Sequence, residues 1–183
     1  MTENVTDRAS RQIHVVQGEY EVSSDPAVVL TTILGSCVAV CLRDSERGIG
    51  GMNHFLLPDG ESDGLDDGKR FGVHAMELLI NGLLRKGARR ETLEAKIFGG
   101  ARMFDGLSDV GAANAAFAER FLHDEGIPVI GGSLGGVGAR RVKFWPATGR
   151  ARQRIVTDPA AIGDLNRAPK PAPAQDAGEL ELF

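Results

Sequence analysis

Val28-Val29-Leu30-Thr31-Thr32-Ile33-Leu34-Gly35-Ser36-Cys37-Val38-Ala39-Val40-Cys41-Leu42 is the stretch that decides how this chain folds. Val28 to Ile33 and Val38 to Leu42 are rich in β-branched and aliphatic residues, the composition of buried strands. Between them Gly35 and Ser36 predict a bend and leave little bulk around the thiol of Cys37. His54 follows seventeen residues after Cys37, within a further extended segment from Ile49 to Leu57. The polar run Arg43-Asp44-Ser45-Glu46-Arg47-Gly48 connects the two segments, so they can pair as a hairpin. A thiol attacks as its thiolate, and an adjacent imidazole is the commonest way to make one near neutral pH. The pattern points to covalent chemistry by a cysteine hydrolase.

Working outward, residues 12–22 carry enough β-branched character for an opening strand, closed by a Ser23-Ser24-Asp25-Pro26 turn. Met76, Leu79, Ile80, Leu83 and Leu84 recur at helical spacing, with Arg85 and Lys86 at the C-terminal end and Gly87 as the cap. Glu94 to Phe98 reads as a strand ending at Gly99-Gly100. A second helix is expected over about 111–125, with Ala113, Phe117 and Phe121 in register and Gly126 as its stop. Ile127 to Ile130 is a short strand whose Pro128 suggests an edge or an end. Arg141 to Trp145 and Arg150 to Val156 form a hairpin through Pro146-Ala147-Thr148-Gly149. Strands first, then helices alternating with strands, predict an α/β sandwich with a mixed sheet, helices packed on it and hairpins at its edge.

The chain has 183 residues, enough for one domain with a substantial core. Three segments are expected: a flexible N-terminus over 1–11, a folded domain over 12–160, and a flexible tail rich in proline and alanine over 166–183. A net charge of −4 gives no strong attraction to nucleic acid or anionic membranes. There is no apolar run near the roughly 18 residues of a membrane helix, and the polar start lacks a secretory pattern. A cytoplasmic location without membrane insertion is expected. In an extended strand Cys37 and Cys41 would lie roughly 13 Å apart, beyond the reach of a disulfide. A reduced pair is therefore expected, and two cysteines without CxxC spacing give no zinc site.

Each motif also has a plainer reading. Cys37 alone suits a buried small apolar residue, and His54 suits a strand histidine bonded to backbone. Cys41, between Val40 and Leu42, reads as structural. Phe55-Leu56-Leu57-Pro58 makes the surroundings of His54 partly apolar, which favours the neutral imidazole a general base requires. Asp59-Gly60-Glu61-Ser62-Asp63-Gly64 imitates the start of a calcium loop, but Arg70 stands where the twelfth-position carboxylate belongs. The clustered glycines Gly99-Gly100, Gly131-Gly132 and Gly135-Gly136 lack phosphate-loop flanks and read as turns or close backbone approaches. Arg140, Arg141, Lys143, Arg150, Arg152 and Arg154 read as a solvated basic hairpin, with a docking face for an acidic partner as the alternative.

The ordered set of motifs resembles the CheD family, chemoreceptor glutamine deamidases of chemotaxis. The resemblance runs from Val15-Val16-Gln17-Gly18-Glu19-Tyr20 to Val156. It is carried by Thr31-Thr32-Ile33-Leu34-Gly35-Ser36-Cys37, Gly51-Met52-Asn53-His54-Phe55-Leu56-Leu57-Pro58 and Leu93-Glu94-Ala95-Lys96-Ile97-Phe98-Gly99-Gly100-Ala101. Gly111 with Asn114, Gly126-Ile127-Pro128, Leu134-Gly135-Gly136 and Pro146-Ala147-Thr148-Gly149 complete it. The resemblance implies a three-layer α/β/α sandwich. It implies Cys37 as nucleophile, His54 as base and, six residues before the cysteine, Thr31 rather than Thr32 as the orienting threonine. Backbone N–H groups at the Gly35-Ser36-Cys37 bend, Gly35 and Ser36 foremost, are expected to receive the oxyanion. No metal or organic cofactor is expected. The implied substrates are glutamine side chains on the cytoplasmic helices of chemoreceptors, converted to glutamate; a glutamyl methyl ester, which gives the identical acyl intermediate, is a further substrate the same chemistry allows. A CheC phosphatase is the implied binding partner. Two other functions fit less of the sequence: a non-catalytic regulatory protein docking on receptors or CheC, and a general cysteine amidase or peptidase.

Overall fold

A computed structural model of the chain describes residues 10–58, 65–103, 105 and 109–157. The expected flexible ends and the Asp59-to-Gly64 loop lie largely or wholly outside these residues. Nine strands and two helices follow in chain order: β1 (Arg11–His14), β2 (Tyr20–Ser23), β3 (Val28–Leu34), β4 (Val38–Asp44), β5 (Ile49–Asn53), α1 (Leu65–Arg85), β6 (Leu93–Gly99), α2 (Val110–Asp124), β7 (Val129–Leu134), β8 (Arg140–Trp145) and β9 (Arg150–Ile155). A 3₁₀ turn at Arg90–Thr92 precedes β6.

The strands form two mixed sheets, one in the order β1-β3-β8-β9 and one in the order β2-β5-β4-β6-β7. Each sheet has one parallel pair, β1 with β3 and β6 with β7. The single opening strand of the sequence reading is thus two short strands, one in each sheet.

Alternation along β4 explains how the layers stack. Val38, Val40 and Leu42 point to one side, where they join Met76, Leu79, Ile80 and Leu83 of α1 and Ala115, Ala118 and Leu122 of α2. Ala39 and Cys41 point to the other side, against Leu30 and Leu34 of β3 and Val142 and Phe144 of β8. A strand apolar on both faces belongs in the middle layer. The α/β sandwich is therefore present, with the helices on one side of the five-stranded sheet and the four-stranded sheet on the other.

Both helices end as their sequences predict. The Ala88 N–H reaches Leu83 O at 3.0 Å and the Gly87 N–H reaches Leu84 O at 3.0 Å, and Ile127 and Gly126 repeat the pattern on Leu122 and His123. These paired bonds close the last turns around a left-handed glycine. The buried face of α2 differs from the expected one. Gly111, Asn114, Ala115, Ala118 and Leu122 are buried, while Ala113 is exposed and Phe117 and Phe121 are half-buried. Small residues face the sheet because the helix approaches it closely, and the two phenylalanines fill the flank beside Phe55.

Candidate active site

Gly35, Ser36 and Cys37 are the link between β3 in one sheet and β4 in the other. Cys37 is half-buried at that crossing. Beyond β5, Phe55 continues the hairpin: the Val38 N–H donates to Phe55 O at 3.0 Å and the Phe55 N–H to Val38 O at 2.9 Å. With Cys41 opposite Met52, this register sets His54 opposite Ala39 and diagonal to Cys37. Val38 and Phe55 point toward the helices, so Cys37, Ala39 and His54 share the other face, between the sheets. The structure thus brings the two sequence-predicted residues to neighbouring positions on one surface.

His54 is only 6% exposed, so its hydrogen bonds determine its chemistry. Its Nδ1 lies 2.9 Å from Thr32 Oγ1 and 3.3 Å from Val15 O. The Thr32 hydroxyl donates its proton to Val15 O at 2.7 Å. It must then accept from the imidazole, which places the ring proton on Nδ1 and the free lone pair on Nε2. Nε2 is buried and has no hydrogen-bond partner among the described residues. Burial lowers the His54 pKa to about 4, against the opposing effect of the Val15 carbonyl. The imidazole is neutral, the form expected from its apolar flank.

Thr31 does not take part in this contact. Thr31 pairs with Lys143, whereas Thr32 pairs with Val142 of the inner core. Successive strand residues face opposite ways, so Thr32 points between the sheets and Thr31 points to the outer face. The threonine that meets the imidazole is Thr32, five residues before Cys37, and not Thr31, six before it.

The Cys37 thiol donates to Gln17 Oε1 at 3.6 Å. Burial pushes its pKa up to about 11, opposed by its own backbone N–H. Thiol and imidazole are both neutral at rest. Cys41 is fully enclosed in the inter-sheet core, where burial raises its pKa further, and both cysteines are free thiols. Among the described residues no cluster of three or more His, Cys, Asp or Glu side chains is placed to hold a metal ion.

The bend is held from behind. The Ala101 N–H donates to Gly35 O at 3.0 Å and the Gly100 N–H to Cys37 O at 2.8 Å. Asn114 of α2 donates from Nδ2 to Ser36 O at 2.9 Å, and its Oδ1 accepts from the Leu57 N–H at 2.9 Å. The segment after β1 wraps His54 from the other side: Gly18 N–H donates to His54 O and His54 N–H to Glu19 O. Val15, Gln17, Thr32 and Asn114 thus join the site without having been assigned a role from sequence. Asn114 left the clearest signal, a polar residue one turn after Gly111 on the face that α2 buries.

Arg140 departs from the solvated hairpin expected of its neighbours. It is not part of the solvated basic face: it is 3% exposed and donates to Ser133 O and Gly135 O. It anchors the glycine-rich turn, while Arg141 points outward.

Fold and site together define a two-sheet α/β protein whose thiol and buried neutral imidazole share one face at the crossing between sheets. The CheD family model, described as CheD chemotactic sensory transduction, matches residues 56–155. A probable chemoreceptor glutamine deamidase CheD of Caulobacter sp. (strain K31) is 64% identical over 174 residues, 94% of this chain and 93% of its own. Proteins of the same description from Rhizobium leguminosarum bv. trifolii (strain WSM2304) and Agrobacterium fabrum are 61% and 54% identical. These two alignments cover 98% and 97% of this chain, and 100% and 99% of theirs. The chain belongs to the CheD family.

Proposed function

We propose that the protein deamidates glutamine side chains of chemoreceptors, with Cys37 as nucleophile, His54 as general base and acid, and Thr32 orienting the imidazole. The carrying observation is His54: its Nδ1 is occupied by Thr32 and Val15, and its Nε2 is buried without a partner among the described residues. That arrangement supports a base held in one tautomer, ready to accept a proton.

The neutral thiol and neutral imidazole support a proton transfer coupled to attack rather than a resting ion pair. The Cys37 sulfur attacks the side-chain amide carbon as its proton passes to His54 Nε2, and the carbonyl electron pair moves onto oxygen. Collapse of this intermediate breaks the C–N bond, and His54 returns the proton to nitrogen as ammonia leaves. Water then attacks the thioester. His54 takes a water proton and delivers it to sulfur, releasing glutamate and restoring the thiol. A glutamyl methyl ester would give the same acyl intermediate, with methanol as the leaving group.

An open concavity of about 270 Å³ beside the site supports a helical protein substrate. It is lined by Gln17, Leu56, Leu57, Pro58, Phe71 and Val110. Gln17 also accepts from the Cys37 thiol, so one side chain both lines the concavity and contacts Cys37. Apolar side chains flanking the target glutamine on a receptor helix would enter there.

The test incubates receptor cytoplasmic fragments with wild-type protein and with Cys37→Ala, followed by peptide mass mapping. Conversion of NH₂ to OH adds about one mass unit per site, the signature of acyl transfer to water. Gain with the wild type alone is expected. No gain on cognate receptors, or equal gain with the variant, refutes the reading.

A further inference from the structure

We infer that Asn114 is a positioning residue: its side-chain amide fixes the Ser36–Cys37 peptide plane so that the Cys37 N–H becomes the oxyanion donor. The inference rests on Cys37 being the acyl-accepting nucleophile. It identifies which groups aim the bend and which backbone donor receives the developing charge.

Three consecutive carbonyls of the bend are each held by a donor. Gly35 O accepts from Ala101 N–H, Ser36 O from Asn114 Nδ2 and Cys37 O from Gly100 N–H. In a trans peptide the N–H lies anti to the carbonyl of the same plane. Holding Gly35 O and Ser36 O against α2 and the Gly100-Ala101 turn therefore directs the Ser36 and Cys37 N–H groups the opposite way. Neither N–H donates to a backbone carbonyl among the described residues. The Cys37 N–H belongs to the same residue as the sulfur and favours its thiolate. An N–H beside the attacking sulfur is within reach of the oxygen on the carbon that sulfur bonds.

Asn114 is the side-chain member of this clamp, and its chemistry suits both contacts. Ser36 O requires a donor and the Leu57 N–H requires an acceptor, and a neutral primary amide supplies both from one group. Leu57 lies three residues after His54, so one buried side chain ties the thiol bend to the segment that follows the imidazole. Gly111 makes the approach possible: a Cβ there would lie 2.3 Å from Ala101 O and 2.6 Å from Gly100 O.

The test compares two reactions of one thiol. Alkylation of Cys37 by iodoacetamide forms a C–S bond as iodide leaves and develops no oxyanion, whereas deamidation requires one. In Asn114→Ala, with folding checked by circular dichroism, deamidation of receptor fragments should fall about 100-fold, in the range for loss of one oxyanion donor. Alkylation of Cys37 should stay within about threefold of wild type, since it follows thiolate character and access. Unchanged deamidation, or both rates falling in equal proportion, overturns the inference.

A second measurement uses wild-type protein and needs no substitution. An aldehyde analogue of the glutamine side chain adds the Cys37 thiol across its C=O, and the Cys37 amide proton should shift downfield in the NMR spectrum. An unmoved Cys37 amide on formation of that adduct also overturns the inference. The Cys37→Ala control separates the two levels: wild-type deamidation by that variant removes the nucleophile reading itself. Loss in Cys37→Ala with none in Asn114→Ala removes only the role of Asn114.

Discussion

A histidine acts as a base through whichever nitrogen its neighbours leave free. At His54 the choice is made by one hydroxyl, because Thr32 gives its only proton to Val15 O and can then only accept from Nδ1. Thr32→Val keeps the shape and removes that acceptor, while Val15 O remains 3.3 Å from Nδ1. The deamidation rate should therefore fall by roughly 10- to 100-fold without being abolished. Thr31→Val, on the outer face, should leave kcat/KM near wild type; a larger loss there than at position 32 would reverse the assignment. The thiols should divide as clearly. With its pKa pushed up to about 11, Cys37 should react slowly with iodoacetamide at neutral pH and faster as pH rises toward 11. Cys41 should remain unmodified until the protein unfolds, which mass mapping of the labelled chain would show.

Between side chain and fold stands the bend from β3 to β4, shaped by the elements packed behind it. β6 ends at Gly99, where a Cβ would lie only 2.1 Å from Cys37 O. No flexible side chain can yield there, since the atom is backbone. Gly99→Ala should destabilise the fold by about 2–4 kcal/mol, as steric conflict in a packed interior does. It should also reduce deamidation in the protein that remains folded, because the displaced carbonyl belongs to Cys37, the proposed nucleophile. Denaturant unfolding and activity per folded molecule would measure the two effects separately. The same crowding explains why α2 turns alanine, glycine and asparagine to the sheet rather than its phenylalanines. Helical periodicity locates an apolar stripe, but it does not say that a neighbouring turn has already filled the space a large side chain needs.

For the molecule as a whole, acid is the condition to which the site is most exposed. His54 is neutral when folded, with a pKa near 4, and ordinary near 6.5 when unfolded. Between those values the unfolded chain binds a proton that the folded protein refuses, so stability is complete above about pH 6.5 and is lost on acidification toward 4. The shift corresponds to roughly 3 kcal/mol at most. Asp44 extends the loss. Burial pushes its carboxyl up, but the Arg89, Arg47 and Glu46 N–H groups and the Thr92 hydroxyl outweigh this and hold it below the usual carboxylate range. Its contribution is present above the unfolded pKa and lost as pH falls through the folded one. The melting midpoint should decline from pH 6.5 to 4, and His54→Gln should flatten that part of the curve. An identical decline in the variant would assign the acid sensitivity to other groups. Among the described residues, no helix is long and apolar enough to cross a membrane.

Local chemistry made much of this protein legible without coordinates. β-Branched runs marked β3 and β4, the stripe from Met76 to Leu83 and its glycine marked α1, and Gly35-Ser36 before a thiol marked the bend. The placement of Cys37 and His54 at neighbouring positions on one sheet face followed from a hairpin whose strands are adjacent in sequence. Tertiary structure decided what depends on partners distant in the chain. Which threonine meets the imidazole is a question of strand phase, and adjacent threonines differ only in which sheet face they occupy. That the bend crosses between two sheets, that Arg140 is buried, and that Asn114 reaches across from α2 to the Ser36–Cys37 peptide each depend on packing between separate elements. Such contacts leave only a residue type in the sequence, because the space and donors that give that residue its role come from elsewhere in the fold.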